Sequence, residues 1–175
     1  MNSNKIETGA IICLESLLWK CSHIDYSISR NDKGLSWDGF IYLYSNKNQK
    51  KENLVCKCEI QVKGKEKLGR SRSYPVSVAD LNNYKNNGGV IFFVIDIATE
   101  KVFYAELLPT KIGHILQSKL KKESQKTINI KLEEFPKSPF VIENLVNQFC
   151  KDSDKQRASK GKIISLQDEV LKLNG

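Results

Sequence analysis

Glu59, Gln61 and Lys63 fall at every second position of the segment Leu54–Lys63. On a strand they share one face, while Cys56, Cys58, Ile60 and Val62 share the other. A polar row on a strand whose reverse is apolar is either a face turned to water, as in any two-faced antiparallel sheet, or the wall of a site. Two further carboxylates bear on that choice. Asp38 sits at the start of an aromatic, β-branched run, Ser36–Tyr44, and Asp is depleted in strands. A hairpin turn at Asp38-Gly39 is the competing reading; it would sever Trp37 from Phe40-Ile41-Tyr42-Leu43-Tyr44, and a better turn lies upstream at Asn31–Gly34. Glu7 falls within the apolar stripe of an N-terminal helix, about 60° from Ala10 on the wheel, whereas Glu15 falls outside it. A carboxylate packed against a sheet is costly unless it is paired or holds a metal ion. The alternative for Glu7 is its place in the first turn, where it favours the helix dipole and can reach water.

The elements that must position these groups follow from periodicity. Asn2–Cys21 reads as an amphipathic helix with Ile6, Ala10, Cys13, Leu14, Leu17 and Cys21 on one stripe, capped by Asn2 or Ser3. Strands are expected at Ile24–Arg30, Ser36–Tyr44 and Leu54–Lys63, the last two joined through a polar hairpin, Ser45–Asn53. That pairing sets Asp38 and Lys63 at the same end of the sheet, with Asp38 in reach of Gln61. A basic loop runs from Gly64 to Ser73, then a helix over Val78–Asn86 with Ser77 as N-cap and Gly88-Gly89 after it. Val90–Ile97 is a near-continuous apolar run, the mark of a strand buried on both faces. Next come a turn at Ala98–Lys101, a strand at Val102–Glu106, a helix at Thr110–Leu120, a strand at Thr127–Leu132 and a helix at Ser138–Cys150. Lys151–Lys162 reads as a loose polar stretch and Ile163–Leu173 as a last helix. Strands and helices alternate within one unit, so the fold class is α/β, a central mixed β-sheet flanked by helices. Residues 1–150 form one domain, and residues 151–175 a polar linker with a short C-terminal helix.

Composition narrows the classes. The 175 residues suit one domain with a real core, at 40% hydrophobic. The first 20 residues lack the uninterrupted apolar run of a signal peptide, and no apolar segment approaches the ~20 residues of a membrane span, so no membrane partner is expected. Five cysteines at irregular spacing argue against a disulfide framework and for a reducing cytoplasm. Cys56 and Cys58 are two apart, not the spacing of a zinc knuckle, and no second pair completes a set. His23 and His114 have no carboxylate or thiol neighbour at motif spacing. No phosphate-binding glycine motif is present. The formal charge of +8 suits a phosphate backbone as partner, although a Lys- and Asn-rich composition yields the same excess.

Asp38 followed by Gln61-x-Lys63, behind a helix bearing Glu7, resembles the PD-(D/E)XK nuclease superfamily. There an Asp opens the second strand and an acid-x-Lys pair follows on the third. The Gln-x-Lys form is similar to the Mrr-like branch. Gly88–Ile97 followed by Val102-Phe103-Tyr104 also looks like a bacterial domain family of this type, found alone or at the N-terminus of anti-phage defence proteins. The likeness spans about residues 3 to 135. It implies a restriction-endonuclease-like αβββαβ core with C-terminal helical additions. It implies a metal-dependent endonuclease on DNA, less so on RNA, acting in defence in the cytoplasm, alone, as a homodimer or with a partner defence protein. Asp38, Glu7 and the Gln61 amide oxygen would take Mg²⁺ or Mn²⁺, a hard cation that prefers oxygen, with Glu15 and Glu59 as further carboxylates. Lys63 would stabilise charge on the phosphate. Lys65, Lys67, Arg70 and Arg72, directly beyond that strand, would grip the backbone without reading sequence; a solvated loop is the plainer reading. The neutral Gln61 departs from the parent acid. It keeps open a catalytically silent module that binds nucleic acid or a partner on the same fold, and an RNA-cleaving effector is the third reading.

Overall fold

The computed structural model describes residues 2–30, 36–122 and 124–173, with side chains as far as residue 159. The expected turn at Asn31–Gly34 lies outside the described residues. The chain is α/β: a six-stranded mixed sheet, a two-stranded ribbon and, among the described residues, four α-helices. Helix α1 spans Ser3–Leu18, with the Asn2 side chain accepting from the Asn4 N–H at its start. Strands β1 (Ile24–Ile28), β2 (Gly39–Tyr44) and β3 (Leu54–Lys65) form an antiparallel meander. Strand β4 (Ser73–Ser77) and helix α2 (Val78–Asn86) then carry the chain over to β5 (Val90–Asp96), which runs parallel to β3. Strand β6 (Lys101–Leu107), helix α3 (Pro109–Lys119), β7 (Thr127–Lys131), the short β8 (Glu133–Glu134) and helix α4 (Pro139–Leu173) complete the order. The main sheet reads β1-β2-β3-β5-β6-β8, and β4 pairs with β7 apart from it.

The sheet divides two hydrophobic clusters, and this explains the contrasting patterns of its strands. Cys58, Ile60 and Val62 of β3 pack with Ile91, Phe93 and Ile95 of β5 against Ala10, Leu14 and Leu18 of α1 and Ile142, Val146 and Phe149 of α4. On the opposite face Val90, Phe92 and Val94 of β5 pack with Leu81 and Tyr84 of α2, Ile112 of α3, and Ile128 and Ile130 of β7. All seven residues of β5 are therefore buried, as its unbroken apolar run predicts.

Three expectations are corrected. Strand β2 begins at Gly39, one residue after Asp38, so Asp38 stands at the mouth of the strand. Residues 73–77, given no strand in the sequence reading, form β4; Pro75 lowers their strand signal, and a peripheral two-stranded ribbon tolerates it. The polar stretch after Cys150, expected to be loose, is helical: α4 runs unbroken over 35 residues. The stretch has no proline to break the helix, and it lacks apolar periodicity because residues 151–159 mostly face water. Its anchors are polar instead. The buried Ser153 hydroxyl donates to the Gly88 carbonyl at 2.7 Å, and Gln156 accepts from the Thr110 N–H at 2.9 Å. The Gly88-Gly89 turn has φ of +91° and +99°, the left-handed region, and a Cβ on Gly89 would stand 2.5 Å from the Leu107 carbonyl oxygen.

Candidate active site

Asp38 is held by backbone on both sides. Its N–H donates to the Ile60 carbonyl at 3.0 Å, and its carbonyl accepts from the Ser29 N–H at 2.7 Å. Its side chain turns to β3. One carboxylate oxygen, Oδ2, accepts from Gln61 Nε2 at 2.5 Å and from the Val62 N–H at 2.8 Å, and lies 3.9 Å from Lys63 Nζ. The meander and its register, with Gly39 opposite Ile60, bring these three side chains together. Their partners differ in exposure: Gln61 is 3% exposed, the Asp38 side chain 17% and the Lys63 side chain 42%. Lys63 thus reaches furthest into solvent, Asp38 is half-buried and Gln61 is enclosed. Gln61 Oε1 is buried and has no hydrogen-bond partner among the described residues.

Burial pushes the Asp38 carboxyl above its ordinary pKa. The Val62 N–H, the Lys63 ammonium and the Gln61 amide pull it down without cancelling that rise, and the negative charge of Glu7 adds to it. Glu7 is half-buried in the second turn of α1, not in the first turn where it was expected. Its place follows from Gly64: a Cβ there would meet the Ile6 carbonyl oxygen at 2.7 Å, so the absence of a side chain lets the start of α1 press onto the end of β3. Glu7 therefore shares the field of Asp38 from the α1 side, whereas Gln61 and Lys63 line a small cavity on the α2 side with Tyr74, Asp80, Tyr84 and Phe92.

The remaining expected residues fall into place differently. Glu15 pairs with Arg30 at 3.3 Å. Glu59 stands 3.7 Å from Arg157 of α4 and lines, with Asp38, a cleft of about 580 Å³. Lys65 closes β3 opposite Asp96. Lys65, Lys67 and Arg70 are exposed, around a loop anchored by the buried Leu68. Arg72 is partly diverted: its guanidinium lies over the Phe103 ring at 5.5 Å. Among the described residues, no group of three or more His, Cys, Asp or Glu side chains is placed to hold a metal ion.

Two contributors escaped the sequence reading. Asp80 accepts from the Ser36 hydroxyl at 2.8 Å and from the Ser77 hydroxyl at 2.6 Å, while Asn83 donates to the Ser36 hydroxyl at 2.9 Å. Trp37 packs edge-on against Tyr84, ring centroids 6.2 Å apart. Helix α2 therefore grips the two residues before Asp38 and fixes where its carboxylate points. The Tyr84 phenol is pushed upward by burial, then by the negative charges of Asp80 and Asp38. In sequence, Ser77-x-x-Asp80 reads only as a helix start. Arg157, whose Nη2 donates to the Asn87 carbonyl at 2.5 Å, had no local signal at all. Comparisons with protein-family models, with curated proteins and with solved structures found no match to this chain.

Proposed function

We propose that the chain is a metal-dependent nuclease of the PD-(D/E)XK type, hydrolysing phosphodiester bonds of DNA at Asp38, Gln61 and Lys63. One observation carries the reading: a half-buried carboxylate and a solvent-reaching lysine converge beside a buried amide whose oxygen has no partner among the described residues. The element order is in keeping with it: α1, an antiparallel β1-β2-β3 meander and a passage through α2 to a parallel β5 follow the αβββαβ order that the resemblance implies, with β4 as an added strand before α2. An orphaned amide oxygen beside a carboxylate suits a hard cation that keeps several waters and takes only one or two protein oxygens. Asp38 and Gln61 Oε1 would hold Mg²⁺ or Mn²⁺, with Glu7 adding negative charge. Such an ion supplies Lewis-acid polarisation of the phosphate and lowers the pKa of water.

The chain's own residues do the rest. Lys63 places a cation where charge grows on the phosphate. Its attraction to Asp38 holds the ammonium beside the site before substrate arrives. The Val62 N–H fixes the Asp38 carboxylate, and Asp80 and Asn83 fix the segment that carries it. Lys65, Lys67 and Arg70 then meet the backbone of the bound strand. A role in anti-phage defence, in the cytoplasm, follows from the resemblance.

A second reading rests on Gln61. As it stands, its amide donates to Asp38, and a carboxylate so occupied suits a module that binds nucleic acid without cutting it. Supercoiled plasmid, single-stranded circular DNA and labelled RNA incubated with Mg²⁺ or Mn²⁺ separate the readings. Cleavage that chelator and Lys63→Ala both abolish supports the enzyme. Cleavage confined to RNA makes it an RNA-cleaving effector.

A further inference from the structure

Strands β1 and β2 contribute to only one of the two hydrophobic clusters. Ile24, Ile41 and Leu43 face α1 and α4, and neither strand supplies a residue to the buried core of the α2 cluster. The other face of β2 is only half-buried and carries Phe40 and Tyr42, ring centroids 6.4 Å apart. Soluble domains seldom leave aromatic rings in a row on an open sheet face without a use for them. This row is continuous with the site, because Phe40 and Asp38 line the same cleft together with Trp37, Asn86, Asn87 and Arg157.

Charge decides what the face suits. The Lys57 ammonium lies 4.1 Å from the centroid of the Phe40 ring, and Lys57 sits opposite Tyr42 in the register. Beyond β2 the hairpin carries Lys47, Lys50 and Lys51, all exposed. The carboxylates of this face are Asp38 and Glu59, which already face Lys63 at 3.9 Å and Arg157 at 3.7 Å, and the exposed Asp25, opposite Tyr42 on β1. Aromatic rings for stacking, with cations beside them and beyond them, are the recognition set for unpaired bases and their phosphates. A duplex hides its base faces and would have to extrude a nucleotide to use the rings.

We infer that the open face of β2 is a track for single-stranded nucleic acid, with bases stacked on Phe40 and Tyr42, leading to the Asp38 site. The direction of the track rests on the nucleic-acid reading of that site. Lys57 would leave the Phe40 ring for a phosphate as a base takes its place.

The test is binding without turnover. With chelator present, anisotropy is measured for a labelled twelve-nucleotide oligo-dT, oligo-U, and the dT strand annealed to its complement. The single strands should bind at least tenfold more tightly than the duplex. Phe40→Leu/Tyr42→Leu should weaken single-strand binding by about tenfold or more. A second readout does not depend on that variant folding well. Trp19 and Trp37 are the two tryptophans; in Trp19→Phe, the fluorescence of Trp37 should be quenched by the single strand and not by the duplex. Equal binding of duplex and single strand, or an unquenched Trp37, overturns the inference. Because no metal is present, a chain that binds this way yet never cuts retains the track and loses the nuclease reading. A chain that cuts but fails here does the reverse.

Discussion

At the scale of single residues, Asp38 and Gln61 are the two side chains whose chemistry is most constrained by their surroundings. Burial raises the Asp38 carboxyl above its ordinary range. The folded chain then holds that proton more tightly than the unfolded chain, between the unfolded pKa and the higher folded one. Stability falls as pH rises across that window, and the deficit persists at neutral pH. Asp38→Asn should therefore match or exceed the wild-type Tm at pH 7 while abolishing cleavage. A Tm several degrees below wild type would contradict this. Mg²⁺ should in turn bind the wild type more tightly as pH rises through the titration of the metal-free Asp38 carboxyl, because only the ionised form offers a ligand. Gln61→Glu tests the neighbour. A second carboxylate against Asp38 adds like-charge repulsion, so the Tm in chelator should fall. Mg²⁺ should restore more in this variant than in wild type; at 100 times its Kd a ligand contributes about 2.7 kcal/mol, several degrees for a chain of this size. An equal Mg²⁺ response in both proteins would remove Gln61 from the metal site. The Asp38–Gln61–Lys63 grouping was legible because strand alternation and one hairpin suffice to set its register. Asp80 and Arg157 were not: each acts through a partner 44 or more residues away, and no local pattern encodes that.

At the scale of elements, the site depends on how α1 and α2 are seated on the sheet. Gly64 admits the first turn of α1, and Ser36 is held by α2. Gly64→Ala would set a methyl 2.7 Å from the Ile6 carbonyl oxygen and 2.6 Å from Ile6 Cγ2, forcing the helix outward. A cost of about 1–3 kcal/mol should appear as a Tm fall of roughly 3–10 °C, with weaker metal dependence as Glu7 withdraws from Asp38. An unchanged Tm would show that α1 is not packed as described. Helices α1 and α2 and strand β5 were legible from periodicity and capping. Strand β4 was obscured by Pro75. The polar segment after Cys150 has no apolar stripe, yet Ser153, Gln156 and Arg157 fasten it to Gly88, Thr110 and Asn87 by hydrogen bonds that composition does not reveal.

At the scale of the whole molecule, one sheet carries two hydrophobic clusters and places the candidate site where β2 begins and the parallel pair β3 and β5 ends. No helix among the described residues is long and apolar enough to cross a membrane. The class was legible because strand and helix periodicities alternate along the chain. The open aromatic face of β2 was not, since alternation says which residues share a face and not which face is covered. The reaction proposed is hydrolysis at Asp38, Gln61 and Lys63. Its most direct test is the rate of Mg²⁺-dependent cleavage of plasmid, single-stranded DNA and RNA by wild type and Lys63→Ala, with and without chelator. Cleavage is expected from the wild type, lost on chelation and reduced at least a hundredfold in Lys63→Ala. A wild type that cuts none of these substrates with any divalent metal, or a Lys63→Ala that cuts as fast, would contradict it.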